Sequence, residues 1–221
     1  MILRQFCAPD GQLSYLFADP VTRYAAAIDP HTRQEQEYLE MIGHLGLRLE
    51  YTIETHAHES HLSASVLLKA ETGAKWLSPG LAALDDVDGR FEDGDTVFIG
   101  EERIDVLHTP GHSPCSMSYL WCGHVFTGHT LLAGITGSCE RPDSDAGQMF
   151  DSLQNCLFTL PATTVVLPGL LVLEKGTTSV VQERVRNKDC QPGTTREQFI
   201  RQKQAKTHLL RRKYEHKHEY D

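Results

Sequence analysis

The chain reads as one α/β domain, and three observations carry that reading. Strand-like apolar runs alternate with amphipathic segments along most of the sequence. With 221 residues and 40% hydrophobic content the chain can bury a full core, and one large domain suits it better than two. Histidine-rich motifs fall in loops after strand-like runs, where a rigid scaffold commonly carries function.

Residues 13–17 and 24–28 form an early hairpin with Asp19-Pro20 as turn chemistry. Residues 34–45 form a helix whose Tyr38, Ile42 and Leu45 share one face at i, i+4, i+7. The run 49–53 reads as a strand. A helix over roughly 62–72 follows, with Leu62, Val66 and Ala70 expected inward and Gly73 as its end. Short strands are expected near Trp76-Leu77 and over 96–99, 104–107, 116–121 and 124–126. A helix over about 147–158 precedes a buried strand Val165-Val166-Leu167. Thr195-Arg196-Glu197-Gln198 has capping-box spacing and opens a C-terminal helix.

The chemistry concentrates in three loops. Thr55-His56-Ala57-His58-Glu59-Ser60-His61 places histidines at i, i+2 and i+5 directly after a strand. An i, i+2 pair leaving a strand sets two imidazoles on the same side of the chain. A third nitrogen close by is what a borderline transition metal needs to replace its water shell. The alternative is a polar loop of unrelated histidines, since the chain holds twelve. Further on stand Thr109-Pro110-Gly111-His112-Ser113-Pro114 and Val125-Phe126-Thr127-Gly128-His129-Thr130-Leu131-Leu132. His112 lies in a Pro-Gly turn, a poor place for a core residue, which favours a ligand there.

The series THxHxxH, TPGHSP, FTGxTLL resembles the metallo-β-lactamase fold superfamily. The likeness runs over residues 1 to about 190 and includes Arg4-Gln5-Phe6, Tyr15-Leu16-Phe17 and Ile28-Asp29-Pro30. Within the superfamily the chain is similar to the glutathione-persulfide dioxygenases, through residues 45–51 (LGLRLEY), 91–95 (FEDGD) and 158–161 (FTLP). The resemblance implies an αββα sandwich of two mixed β-sheets flanked by helices over residues 1–190. Residues 191–221 are then a helical, basic C-terminal extension of the same domain.

The chain departs from the superfamily pattern at the metal itself. Ser60 stands at the Asp of HxHxDH, His129 at the Asp of FTGDT, and Leu170 at the late histidine. His61 is left as the one dedicated second-site ligand, and a lone imidazole cannot hold a divalent ion against water. The expectation is one divalent metal per chain, Fe(II) favoured and Zn(II) the alternative, held by His56, His58, His112 and His129. His129 is either a neutral replacement ligand or a residue that only packs. An imidazole reaches farther than an Asp carboxylate, so ligation through it implies a slightly shifted metal.

His61 and Cys115 are adjacent candidates for a catalytic role. Cys115 could ligate the metal, react with a substrate sulfur, or simply fill the core. Arg141 matches the position where the dioxygenases have an arginine facing the glutathione carboxylates, and its fork suits a bidentate pair. Pro142 and Ser144 depart from that pattern, as does Val172 where the family carries a tyrosine.

Composition narrows the partners. Residues 196–221 carry a balance of +4 and the remainder −13, giving the net −9. An acidic body argues against nucleic acid, because phosphate contacts need clustered cations. No run approaches the roughly 18 apolar residues of a membrane span. Residues 1–7 lack a signal-peptide core. The six cysteines have no regular spacing and read as reduced thiols, so a cytoplasmic location is expected. A homodimer is left open.

The first functional reading is a mononuclear-iron sulfur dioxygenase acting on a low-molecular-weight thiol or persulfide. An all-imidazole triad of His56, His112 and His129 would suit an anionic sulfur donor, whereas ligation by His58 as well would close one open position. The alternatives are a single-zinc thioester-type hydrolase, in which zinc brings bound water to a pKa of about 7, and a non-catalytic relative with a degenerate site.

Overall fold

Strands of opposite character meet in two stacked sheets. The computed structural model describes residues 1–57 and 63–215, with side chains through residue 206. The first sheet comprises β1 (Ile2–Cys7), β2 (Leu13–Ala18), β3 (Tyr24–Ile28), β4 (Arg48–Ile53), β5 (Lys75–Pro79) and β6 (Gly89–Phe91), in that spatial order. Its first three strands are antiparallel and β3 to β6 run parallel. The second sheet comprises β7 (Thr96–Ile99), β8 (Glu102–His108), β9 (Met117–Trp121), β10 (His124–Gly128), β11 (Val165–Pro168) and β12 (Thr178–Ser179). An antiparallel meander runs from β7 to β10, β11 joins parallel to β10, and β12 closes antiparallel. Both sheets are therefore mixed.

Helices cover the outer faces. They are α1 (Glu35–Leu45), α2 (Ser65–Thr72), α3 (Ala146–Asn155), α4 (Val180–Arg186) and α5 (Arg196–Glu215). Every residue of β2 is buried, and its alternation explains the layering. Tyr15 and Phe17 point between the sheets, where Phe17 packs against Trp121 at 4.7 Å and Phe126 at 5.0 Å between ring centroids. Leu16 and Ala18 point the other way, onto Tyr38 and Ile42 of α1 and Leu68 of α2. A third cluster sets Val125 and Val166 against Met149 and Leu153 of α3, Val180 of α4 and Phe199 of α5. Each such side chain removed from water contributes roughly 1.5–3 kcal/mol before chain entropy is counted. This is the αββα arrangement the sequence led us to expect.

Two expectations need correction. The second helix starts at Ser65, and its buried face carries Ser65 and Leu68. Val66 is 54% exposed and Ala70 also faces water, the reverse of the expected face. Leu62 lies outside the described residues. The cause is a buried carboxylate: Glu54 accepts from Ser63 Oγ at 2.5 Å, Ser65 Oγ at 2.6 Å and Trp76 Nε1 at 3.1 Å. A buried polar group must be hydrogen-bonded, so the serine turns inward and Leu68, three residues on, turns with it. The expected helix over 147–158 is α3 followed by a separate 3-10 turn, Leu157–Thr159. Asp145 caps α3 by accepting from Gly147 N and Gln148 N. Periodicity did not reveal β1, β6, β12 or α4, whose segments are short or lie at sheet edges.

The capping box is realised at α5. Thr195 Oγ1 accepts from Gln198 N at 3.3 Å and Gln198 Oε1 accepts from Thr195 N at 2.9 Å.

Candidate metal centre

His56, His112 and His129 leave the ends of β4, β8 and β10 through short loops and converge. One nitrogen from each lies within 4.8 Å of the others. Ring centroids are 5.2 Å apart for His56 and His112, and 4.9 Å for each of the other two pairs. Metal–nitrogen bonds of 2.0–2.1 Å in tetrahedral geometry imply nitrogens about 3.3 Å apart, a closing motion within the range of side-chain rotation. His56 is 3% and His112 8% exposed, so the site is sheltered on two sides.

Each imidazole is held from behind. Asp29 follows β3 in a left-handed conformation, φ +50°, and aims its carboxylate at Thr55. It accepts from Thr55 N at 2.7 Å and from Thr55 Oγ1 at 2.7 Å. The hydroxyl has one proton and spends it on Asp29, so its contact with His56 Nδ1 at 2.9 Å is a bond donated by the imidazole. His56 Nε2 then presents the lone pair. His112 Nδ1 lies 2.9 Å from the carbonyl oxygen of Ser138, which can only accept, and Nε2 is again the donor atom for a metal.

The glycines of the motifs are explained by crowding at this point. Gly128 (φ +48°) passes so close to Thr55 that a Cβ would stand 2.4 Å from Thr55 Oγ1. Gly111 (φ +138°) lies on α3, where a Cβ would come within 2.3 Å of Met149 Cβ. Only a residue without a side chain allows the FTG and TPG loops to approach the THxH loop and α3 this closely.

A buried ion pair supports the third loop. Lys203 of α5 donates to Asp189 Oδ2 at 2.9 Å and to the Gly137 carbonyl at 2.9 Å. Asp189 also accepts from Thr136 N at 3.0 Å and from Lys206. Burial works against the Asp189 charge, but Lys203, Lys206 and the Thr136 amide outweigh it and hold the carboxyl well below its ordinary value. Burial pulls the Lys203 ammonium down, with Asp189 opposing. Gly137 in turn packs on His129, since a Cβ there would overlap the His129 carbonyl oxygen.

The remaining expected residues fall as follows. His58 and His61, with Ser60, lie outside the described residues. Cys115 is buried beside the first loop, its sulfur accepting from Ala57 N at 3.3 Å and lying 3.3 Å from Ser113 Oγ, and it does not join the converging set. Arg141 makes a bidentate pair with Asp143, at 3.0 and 3.1 Å. That bond holds the Asp143 carboxyl below its ordinary value. Sequence reasoning overlooked Ser138, Asp189, Lys203 and Gln12, whose Oε1 lies 3.0 Å from His129 Nε2. Asp29 stands in a stretch already noted, but Gln12 and Lys203 carry no local signal.

No family model matches the chain. The mitochondrial persulfide dioxygenase ETHE1 of Bos taurus is 30% identical over 178 residues, covering 76% of this chain and 68% of the relative. A hydroxyacylglutathione hydrolase of Rhizobium johnstonii is 33% identical over 168 residues, covering 74% of this chain and 63% of the relative. The crystal structure of ETHE1 from Myxococcus xanthus superposes with a TM-score of 0.89 at 35% identity, covering 92% of this chain and 90% of that one. The fold is that of a metallo-β-lactamase-fold protein. Within that superfamily the chain belongs to the ETHE1-like persulfide dioxygenase branch.

Proposed function

We propose that this protein is a mononuclear metal enzyme that oxidises the sulfur of a low-molecular-weight persulfide. The observation that carries the reading is the convergence of His56, His112 and His129 in a chain of the ETHE1-like branch. Three imidazoles whose outer nitrogens are each engaged are a donor set suited to Fe(II) or Zn(II). These three would hold one ion per chain, with His58 as a further donor outside the described residues. Fe(II) bound there would supply the redox chemistry that activates O₂, as in facial-triad sites. The protein's part is to orient the ligands, and the neutral donor set leaves the site attractive to an anionic sulfur. Arg141 is the candidate for holding a substrate carboxylate, which would compete with Asp143 for its fork.

Residues 191–221 belong to this same domain in our reading, supported by Phe199 in the third core cluster and by Lys203 behind the site. Among the described residues no helix is long and apolar enough to cross a membrane. The six cysteines are free thiols, which favours a reducing compartment such as the cytoplasm. A second reading, a single-zinc thioester hydrolase, is favoured by the hydroxyacylglutathione hydrolase relatives.

Metal analysis of untagged protein, followed by O₂ uptake with glutathione persulfide, tests the proposal. Iron near one per chain with oxygen consumption is the expected result. Zinc with thioester cleavage would replace the first reading by the second, and neither metal nor turnover would mark a non-catalytic relative.

A further inference from the structure

We propose that Gln12 is a positioning residue that makes Nδ1, and not Nε2, the metal-binding nitrogen of His129. The inference rests on the metal-site reading above and adds an atom-level assignment to it. Gln12 Oε1 lies 3.0 Å from His129 Nε2. An amide oxygen accepts and cannot donate, so Nε2 carries the imidazole proton and the lone pair is at Nδ1.

The backbone around Gln12 is fixed from several directions. Its carbonyl accepts from Ala8 N at 2.8 Å, its own N donates to Asp10 Oδ1 at 3.2 Å, and Leu13 N donates to the Gly169 carbonyl at 2.9 Å. A β-bridge pairs Gln12 with Leu170 in the loop after β11. The amide therefore reaches His129 from a strand entrance and not from a loose loop. Such outer contacts fix the tautomer and ring orientation of a ligating histidine.

The assignment also resolves the reach of the side chain. Nδ1 is bonded directly to Cγ, as the oxygen of an aspartate side chain is, so it lies the same number of bonds from Cα. Ligation through Nδ1 puts the donor where a carboxylate at residue 129 would put its own, and no shift of the ion is required. The three imidazoles then differ by design: His56 and His112, held at Nδ1 by Thr55 and Ser138, present Nε2, while His129, held at Nε2, presents Nδ1.

The test uses the full chain with ¹⁵N-labelled histidine, loaded with ¹¹³Cd(II). Long-range ¹H–¹⁵N spectra should show cadmium coupling on Nδ1 of His129 and on Nε2 of His56 and His112. Coupling at Nε2 of His129, or none at His129 beside intact coupling at the other two, overturns this assignment and leaves the metal site standing. No cadmium coupling to any of the three overturns the metal-site reading and this assignment together. Independently, Gln12→Leu should weaken Cd(II) binding roughly 10- to 100-fold at an unchanged metal-free melting temperature. Gln12→Glu, which keeps an acceptor oxygen, should retain affinity. Unchanged Cd(II) affinity in Gln12→Leu would reduce Gln12 to a structural residue and overturn the proposal.

Discussion

Lys203 of the C-terminal helix and Asp189 form a buried ion pair, 2.9 Å between Nζ and Oδ2, whose ammonium also holds the carbonyl of Gly137 behind His129. Removing the cation leaves a carboxylate in a dry site with Lys206 as its remaining cationic partner. Lys203→Met should destabilise the fold by about 3 kcal/mol, the lower end for breaking a buried pair, and urea denaturation measures it.

The same pair sets an acid limit. The folded-state pKa of Asp189 is lowered from 3.8. Its contribution to stability is therefore fully present above pH about 4 and is lost as pH falls through the folded-state value. Urea midpoints measured from pH 6 downward should decline below pH about 4, and Asp189→Asn should flatten that part of the profile. An identical decline in the variant would assign the acid sensitivity to other carboxylates.

Gly128→Ala should damage both fold and site. The residue sits at φ +48° and a Cβ would stand 2.4 Å from Thr55 Oγ1, so Thr55 must move and take His56 with it. Left-handed strain and overpacking together cost roughly 2–5 kcal/mol. Calorimetry should show a lower metal-free melting temperature, and metal titration should show weaker binding. A variant with wild-type affinity would mean that Thr55 does not position His56.

His129→Ala should weaken metal binding tenfold or more and lower thermal stability only while metal is present, because a ligand stabilises the state that binds it. His129→Asp should preserve or increase Fe(II) affinity, since it restores a negative donor at the same bond count from Cα. Equal destabilisation of the metal-free and metal-loaded His129→Ala protein would show that the ring merely packs.

Arg141 and Asp143 offer a test of substrate binding. Arg141→Ala should raise KM for glutathione persulfide more than it lowers kcat, the pattern of lost uniform binding. Asp143→Asn, which weakens the internal competitor, should lower KM. If both variants leave oxygen-uptake kinetics unchanged, the pair serves the loop alone.

Much of this protein was legible from local pattern. The apolar runs 13–17 and 24–28 around Asp19-Pro20, the Pro-Gly turn at His112 and the histidines after β4 pointed to strands, turns and ligand candidates directly. These depend on short-range periodicity and on residue types with few conformational choices. The face of α2 was not legible, because the buried Glu54 carboxylate beneath it follows the end of β4, eleven residues earlier, and turned Ser65 inward. Gln12 and Lys203 were invisible for the same reason on a longer scale. They approach His129 from 117 residues before it and, through Gly137, from the C-terminal helix. Residue order specified the elements and the metal-capable side chains. Chain packing chose which nitrogen of each histidine is held and by what, because a hydrogen-bond partner is set by proximity in space.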